Sequence, residues 1–256
     1  MASKTYLPSP LTPKAIQELL CINGIGLSIT DALDAATKRA VKEFQEMKGL
    51  EVDGVVGPIT TRVLSMPILT CAELVSVKPL IQPDFASCLC WVAEQHLNLH
   101  PTEIGGDNKG PWVRLFSDGV DGASNYWCAW WSTYCVQQAW DIATALGWTP
   151  TFTRAKFRSS WCPGIQTAAT KENRLITPAE ALADPVKVVR PGQLFLVWSA
   201  SKNRVAHVGI VVGGGQADGT FETIEGNTND DGSPNGTEVA RRIRMVDTCY
   251  YVDLTR

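Results

Sequence analysis

A cysteine, a histidine and two polar residues occur in an order that could support nucleophilic catalysis. Cys128 lies in SNYWCAWWSTYCVQQAW, His207 lies in VAHVGIVVG, and Glu225 and Asn227 lie in TIEGNTN. A cysteine nucleophile needs surroundings that favour its thiolate, a base that passes a proton, and a group that fixes the tautomer of that base. The spacing allows Glu225 or Asn227 to orient His207. A carboxylate also stabilises an imidazolium, so we assign the orienting role to Glu225 and an auxiliary contact to Asn227.

The elements that must position these groups are a helix and two strands. Ser124 or Asn125 is placed to cap a helix that carries Cys128 in its first turn, where unpaired N–H groups and the helix dipole favour a thiolate. The alternative is that Cys128 is a small apolar core residue, the role that we expect for Cys135. His207 falls near the start of an alternating strand, where an incidental exposed histidine is the competing interpretation.

The second half of the chain has the pattern of an α+β domain. One helix is predicted over DFASCLCWVAEQHLNL, with Asp84 as its cap, and the Cys128 helix follows it. After Arg190 the period changes to alternating, β-branched and aromatic runs separated by turn residues, which predicts an antiparallel sheet. These runs are PGQLFLVW, AHVGIVVGG, FETIEG, EVARRIRMV and CYYVDL. We therefore expect helices packed on one side of an antiparallel sheet.

The first part of the chain has a different, helical pattern. Pro13 begins one helix, an apolar stripe that includes Val41 and Phe44 marks a second, and Pro58 begins a third. Between the last two lies LEVDGVVGPITTRVL, with turn signals at D-G and G-P. The boundaries that we predict are a helical module over residues 1–68, a proline-rich linker over 69–84 and the α+β domain over 85–256.

Two family resemblances follow from these motifs. The D-G-x-x-G-P-x-T pattern resembles peptidoglycan-binding domain 1, which implies a three-helix bundle; a generic helical bundle is the competing interpretation. The runs WCAWWSTYCVQQAW, PGQLFLVW, AHVGIVVG and TIEGNTN together resemble the CHAP domain of the papain-like NlpC/P60 group. That resemblance implies Cys128 as the nucleophile, His207 as the base, and Glu225 or Asn227 as the residue that orients it.

Further residues are candidates for substrate or metal binding. Trp127, Trp130 and Trp131 flank the nucleophile and could stack on a sugar, although core packing is the expected role of most tryptophans. Some relatives bind calcium through acidic loops, but the spacing of Asp107, Asp118 and Asp121 matches no calcium loop. His96 and His100 could form a helical i, i+4 pair that lacks further zinc ligands nearby, and we read them as helix-end or surface residues. We expect no cofactor and no metal.

Composition excludes several classes of partner. The 256 residues are 45% hydrophobic and 19% charged with a net charge of −3, which indicates a globular protein without a positive field for nucleic acid. No stretch reaches the roughly 18 apolar residues of a membrane span. The opening MASKTYLPSPLTPK lacks the apolar core of a secretory signal. The eight cysteines are scattered, so we expect reduced thiols and synthesis in the cytoplasm.

Together these patterns predict a monomeric, thiol-dependent peptidoglycan hydrolase with a wall-binding module. It would cleave an amide, as an N-acetylmuramoyl-L-alanine amidase or a peptidoglycan endopeptidase. It would act in the periplasm or cell wall, as a phage endolysin or as a delivered antibacterial effector with a cognate immunity protein. The alternatives are a non-catalytic wall-binding protein with a degenerate hydrolase fold and a papain-like protease that acts on proteins.

Overall fold

The chain folds into two compact units, each assembled from two stretches of sequence. The computed structural model describes residues 7–76, 84–229 and 236–255. The first unit contains residues 1–73 and 102–125, and the second contains residues 74–101 and 126–256.

This division differs from the predicted boundaries. Residues 102–125, which the sequence placed with the α+β domain, belong to the first unit. The first residues of the predicted linker are helical, because the third helix continues to Ala72 despite Pro67 inside it. Residues 77–83 of that linker lie outside the described residues. A proline-rich composition therefore predicted a break several residues too early.

The helices are numbered here in chain order. Those of the first unit are α1 (Pro13–Ile22), α2 (Ala35–Met47), α3 (Pro58–Ala72) and α5 (Pro111–Phe116). Those of the second unit are α4 (Phe85–Asn98), α6 (Cys128–Ala145), α7 (Cys162–Lys171), α8 (Pro178–Ala183) and α9 (Pro185–Val188). Proline occupies the first or second position of several of them, where its missing N–H costs no hydrogen bond.

The strands of the described residues form one antiparallel sheet in the second unit. They are β1 (Leu175–Ile176), β2 (Leu194–Ser199), β3 (Arg204–Gly213), β4 (Thr220–Thr228), β5 (Glu238–Met245) and β6 (Cys249–Val252). Their order is β1-β6-β2-β3-β4-β5. The alternating pattern predicted β2 to β6 correctly. It missed β1, which is a two-residue edge strand and too short to show a period.

In the first unit, a buried glutamine explains the D-G-x-x-G-P-x-T pattern. Gln45 on α2 donates from Nε2 to the Asp53 carboxylate at 2.8 Å and accepts from the Gly54 N–H at 2.8 Å. The same Nε2 lies 3.3 Å from Oγ1 of Thr60 at the start of α3. Gly54 has φ +76, a backbone conformation that favours glycine. The pattern thus encodes a turn that satisfies one buried amide.

A second buried glutamine makes the same arrangement between α1 and α2. Gln17 donates to the hydroxyls of Thr30 and Thr37, each at 2.8 Å, and accepts from the backbone N–H groups of Thr30 and Asp31. Thr37 and Thr60 occupy the third position of α2 and α3, respectively. Both interhelical turns are therefore fixed by hydrogen bonds to a buried, uncharged amide, which leaves few polar atoms unpaired.

In the second unit, the sheet and α6 form the core that positions the site. One cluster of buried residues joins Phe195, Val211, Phe221 and Tyr251 from four strands. The helix α6 packs on α4, β3 and β4, and Trp131 and Cys135 are among its fully buried side chains. Burial of this kind contributes roughly 1.5–3 kcal/mol per large apolar side chain. It fixes the first residue of α6 relative to β3.

Candidate active site

Cys128 is the first residue of α6, as the sequence predicted, but a different residue precedes the helix. The N-cap is Trp127, and no side chain caps the first turn. Ser124 and Asn125 are therefore not the caps, because the helix begins three residues after Asn125. The helix still places Cys128 where unpaired N–H groups and the helix dipole favour an anion.

His207 and Glu225 meet across the paired strands β3 and β4. Nε2 of His207 lies 2.7 Å from Oε2 of Glu225, and Glu225 is fully buried. The other side of the imidazole forms a hydrogen bond with the Cys128 thiol. Since Nε2 is engaged by the carboxylate, Nδ1 is the nitrogen that faces the thiol. The structure therefore brings together Cys128, His207 and Glu225 in one chain of hydrogen bonds.

Arg244 on β5 extends this chain beyond the three residues that the sequence identified. Its Nε lies 2.7 Å from Oε1 of Glu225, and its Nη2 lies 2.5 Å from Oε2. Thr223 donates a third hydrogen bond to Oε1 at 2.6 Å. Burial raises the pKa of Glu225, but the hydrogen bonds from Arg244 and His207 outweigh it and lower that pKa to about 2. The carboxylate thus stays ionised beside the imidazole.

Cys162, the first residue of α7, lies next to the Cys128 thiol. The two Sγ atoms are 3.9 Å apart, and both side chains are buried. The hydrogen bond from Cys162 is the largest of the influences that lower the pKa of Cys128 well below its usual value. The pKa of Cys162 is raised, first because of that same hydrogen bond and then because of burial. Cys162 is therefore the protonated partner of a Cys128 thiolate.

The charges of this cluster are balanced as an ion pair. Burial alone would lower the pKa of His207, but its hydrogen bonds to Cys128 and Glu225 raise that pKa to about 9. A backbone hydrogen bond from Val208 also favours the Cys128 thiolate. A thiolate and an imidazolium coexist when the pKa of the thiol falls below that of the histidine. The arrangement thus favours a thiolate at Cys128 and an imidazolium at His207 at neutral pH.

At two positions beside the site, only glycine fits, because any side chain would collide with a neighbouring residue. A Cβ on Gly209 of the H-V-G run would lie 2.8 Å from Cγ of Glu225 and 2.7 Å from the Phe195 ring. A Cβ on Gly226 of the E-G-N run would lie 2.7 Å from the Trp131 ring. Both distances are shorter than real Cβ contacts allow. Gly209 therefore leaves room for the Glu225 side chain against β3, and Gly226 leaves room for the Trp131 ring against β4.

Asn227 does not share the position of Glu225. It has φ +57, which interrupts the two-residue alternation along β4. Its Oδ1 is buried and has no hydrogen-bond partner among the residues that the structure describes. The register between β4 and β5 also shifts between Glu225 and Thr228. Among the two residues that the spacing allowed, Glu225 is the one that contacts His207.

The tryptophans next to Cys128 are not open platforms. Trp127 and Trp131 are fully buried, which is the core packing that was the expected alternative to stacking on a sugar. The ring of Trp130 lies 4.6 Å from the Arg158 guanidinium carbon, and Arg158 also donates to the Trp130 carbonyl oxygen. Residues three apart lie on the same face of a helix, so Trp131 shares with Cys128 the face of α6 that packs in the core.

His96 lies in the last turn of α4, as the sequence predicted, but it is a buried core residue and not a surface one. Its Nε2 lies 2.8 Å from Oε1 of Gln138, and its Nδ1 accepts the Trp131 indole N–H at 3.1 Å. Burial lowers the pKa of His96 to about 4, so the ring is neutral. It lies at the interface of α4 and α6, where it satisfies two buried polar groups.

The described residues contain no group of three or more histidine, cysteine or acidic side chains arranged to hold a metal ion. Asp121, one of the calcium candidates, accepts a hydrogen bond from Arg114 at 2.6 Å, so a cationic side chain already neutralises it. The eight cysteines all lie in the described residues, and none of them forms a disulfide bond. None of the helices in the described ranges combines the length and apolar character that a membrane crossing needs.

Cys162 and Arg244 were missed by sequence reasoning. Cys162 is 34 residues from Cys128, and Arg244 is 19 residues from Glu225. Neither lies in one of the recognised motifs, and the chain contains other cysteines and arginines with equal local appearance. The alternating pattern of EVARRIRMV was the available signal for Arg244, since it predicted a strand beside β4.

The fold and the site define a two-part protein: a helical module and an α+β unit with a buried cysteine–histidine–glutamate chain. Residues 12–64 match the family model described as a putative peptidoglycan binding domain. This match confirms the resemblance that the D-G-x-x-G-P-x-T pattern predicted, and it associates the protein with the cell wall. No curated protein and no solved structure matched the chain.

Proposed function

We propose that the second unit is a papain-like thiol hydrolase of the CHAP type that cleaves an amide bond in peptidoglycan. The observation that carries the proposal is the buried chain from Cys128 through His207 to Glu225, closed by a 2.7 Å contact between the imidazole and the carboxylate. The wall-binding module supplies the substrate class, because its family match covers residues 12–64. Tethering to an insoluble polymer raises the local concentration of scissile bonds.

The first half of the reaction is acyl transfer to Cys128. The thiolate attacks the amide carbonyl carbon, and the oxygen becomes an oxyanion beside the N–H groups at the start of α6. His207, protonated, gives its proton to the departing amine nitrogen as the C–N bond breaks. The products are a free amine and a thioester on Cys128. Cys162 donates to the thiolate before attack and so stabilises the reactive form of the enzyme.

The second half is hydrolysis of the thioester. Neutral His207 now accepts a proton from water, whose oxygen attacks the thioester carbonyl carbon. The C–S bond breaks, the carboxylic acid leaves, and the thiolate and imidazolium are restored. Glu225 holds the imidazole in one orientation through both halves, and Arg244 keeps Glu225 ionised. These two residues therefore position the base and do not touch the substrate.

Two delivery routes are compatible with this chemistry. A phage endolysin reaches the wall after release through a membrane pore, and an antibacterial effector is delivered into a rival cell. The effector route also implies a cognate immunity protein that covers the site. Added protein that lyses intact cells only after their outer barrier is opened, together with a neighbouring gene product that blocks hydrolysis, would favour the effector.

The test is product analysis on purified cell wall. The wild-type chain should release fragments with new amine and carboxyl termini, whose masses identify the cleaved bond. Cys128→Ala should lower the rate by about 10⁴-fold or more, as loss of a nucleophile does in thiol and serine hydrolases. Cys135→Ala, a cysteine on the same helix away from His207, is the matched control.

Retained wall sedimentation and an unchanged circular dichroism spectrum must accompany the loss. If the wild-type chain sediments with the wall but releases no fragments, the protein is a wall-binding protein with a degenerate hydrolase fold. If Cys128→Ala still releases fragments at a comparable rate, Cys128 is a core residue and the mechanism is wrong.

A further inference from the structure

Two exposed aromatic side chains stand beside the buried thiols. Trp161 is 55% exposed and Tyr126 is 51% exposed, whereas Trp127 and Trp131 are fully buried. Trp161 directly precedes Cys162, and Tyr126 lies two residues before Cys128. Because the two Sγ atoms are 3.9 Å apart, the chain segments that carry both aromatic residues converge on the thiols. Large exposed aromatic side chains grouped at one place mark a binding surface more often than isolated ones do.

Each of these aromatic residues contacts a cation that lies at the start of β3 or just before it. The Arg204 guanidinium carbon lies 6.0 Å from the centroid of the Trp161 ring. The Lys202 Nζ lies 5.8 Å from the centroid of the Tyr126 ring. The three-residue stretch from Lys202 to Arg204 therefore supplies one positive charge to each of the two aromatic rings.

A shift in strand pairing brings Arg204 to the face of the sheet that carries His207. His207 pairs with Val197, Arg204 pairs with Ser199, and the register shifts between Val197 and Trp198. Val197 and Ser199 are two residues apart, so they and their partners lie on one face. Without the shift, residues three apart on β3 would lie on opposite faces. Bulges that re-aim a side chain in this way are common next to active sites.

The charges of Arg204 and Lys202 are available to a ligand. Arg204 contacts the Trp161 ring and donates to the Val205 carbonyl oxygen at 3.1 Å, and both of these groups are neutral. In contrast, Arg244 and Arg241 are held by carboxylates of Glu225, Glu94 and Glu222. Within the part of the chain that the structure describes, no carboxylate forms a salt bridge with Arg204 or Lys202.

We propose that Trp161 and Arg204, with Tyr126 and Lys202 beside them, form the subsite that holds a free carboxylate of the peptide stem next to Cys128. This inference rests on the proposed function and names the feature of the substrate that is recognised. A guanidinium binds a carboxylate through two parallel hydrogen bonds, which fixes its orientation. The Trp161 ring covers the apolar part of the same residue. Substrates with an amidated stem then lose the charged contact.

The experiment uses two soluble muropeptides that are identical except that one stem carboxylate is free or amidated. In the full chain, Arg204→Gln should lower kcat/KM about tenfold for the acid and leave the amide unchanged, because the variant loses the charge-assisted hydrogen bonds that only the carboxylate accepts. Trp161→Ala should raise KM for both substrates. Lys171→Gln, an exposed cation at the other end of α7, is the control and should change neither.

A second readout separates this subsite from the proposed hydrolysis. The acidic muropeptide should slow iodoacetamide labelling of Cys128, and Arg204→Gln should raise the concentration for half-protection about tenfold. Protection that depends on Arg204 without hydrolysis supports the subsite and overturns the proposed function. Hydrolysis with equal preference for acid and amide in wild type and Arg204→Gln overturns the subsite alone. Absence of both hydrolysis and protection overturns both.

Discussion

The two units bury polar side chains for different ends. In the first unit, Gln17 and Gln45 are neutral, and each satisfies a turn and the threonine at the third position of the next helix. In the second unit, the polar groups beside Cys128 have strongly shifted pKa values, and they form one chain from Cys128 to Arg244. Both arrangements are hydrogen-bonded and both include a carboxylate, but only the second one joins a thiol to an imidazole.

The buried glutamines of the first unit and the buried charges of the second differ in energetic cost, and this difference indicates which unit is suited to chemistry. A buried amide that is fully hydrogen-bonded costs little and fixes a local shape. A buried ion pair pays a desolvation cost of several kcal/mol per ion, which the attraction between the charges only partly offsets. Such clusters are found where shifted pKa values serve chemistry. The comparison therefore supports the proposal that the second unit carries the chemistry, while the first provides the fixed shape of a wall-binding module.

The largest expected effect concerns the orienting carboxylate. Glu225→Gln should lower kcat about 10²-fold or more, since the amide cannot stabilise an imidazolium as a carboxylate does. Asn227→Ala should lower it less than tenfold, because Asn227 does not contact His207. The measurement is hydrolysis of a soluble muropeptide by both variants at saturating substrate.

A fall in kcat caused by destabilisation must be distinguished from one caused by the lost carboxylate when Glu225→Gln and Asn227→Ala are compared. Glu225→Gln leaves Arg244 without its carboxylate, so thermal unfolding of each variant should accompany the kinetics. The double variant Glu225→Gln/Arg244→Leu should recover thermal stability while kcat stays low. If Asn227→Ala is the slower enzyme with both variants folded, the two residues exchange roles.

The pH dependence follows from the directions of the two pKa shifts. The pKa of His207 is raised to about 9, so the imidazolium persists through neutral pH and is lost above about 9. The pKa of Cys128 is lowered well below its usual value, so the thiolate is lost only as the pH falls through that lowered value. Thus kcat/KM should stay flat near neutrality and fall about tenfold per pH unit well above 9. A rise through pH 8 to 9 would instead indicate an ordinary thiol that requires deprotonation.

Cys162 should tune the thiolate without being essential. Cys162→Ala removes the hydrogen bond that most lowers the pKa of Cys128, so labelling by iodoacetamide at pH 6 should slow about tenfold. At a pH above the pKa of Cys128 in both the wild type and Cys162→Ala, the two labelling rates should converge. Cys162→Ser, which restores a donor, should recover part of the rate, and Cys21→Ala in the first unit is the control. Equal rates at pH 6 in all variants would remove Cys162 from the mechanism.

The smallest effect is expected in the first unit, where the buried group is neutral. Gln45→Leu leaves the Gly54 N–H without its acceptor, which should cost about 1–3 kcal/mol of stability in this unit. Sedimentation with cell wall should weaken on warming, whereas hydrolysis of a soluble muropeptide should not change. Glu46→Gln on the exposed face of α2 is the matched control. Equal loss of soluble hydrolysis would show that the two units do not act independently.

The sequence determined the local features of this protein. It predicted the turns around Asp53 and Pro58 and the strands β2 to β6. It also predicted the position of Cys128 in the first turn of α6, because each of these depends on neighbouring residues and a short period. The family match to residues 12–64 agrees with the most local of these patterns. Pairing of β3 with β4 also follows from their adjacency in the chain, which places His207 near Glu225.

Only the tertiary structure decided which residues complete the site and which do not. Arg244 reaches Glu225 through β5, and Cys162 reaches Cys128 through the start of α7, although local sequence gives neither residue a special appearance. Trp127 and Trp131 of the Cys128 motif turn into the core, while Trp161, which no motif contains, is exposed beside the thiols. The reason is physical: which side chain is buried, and which charge faces another, depends on segments that pack together from distant parts of the chain.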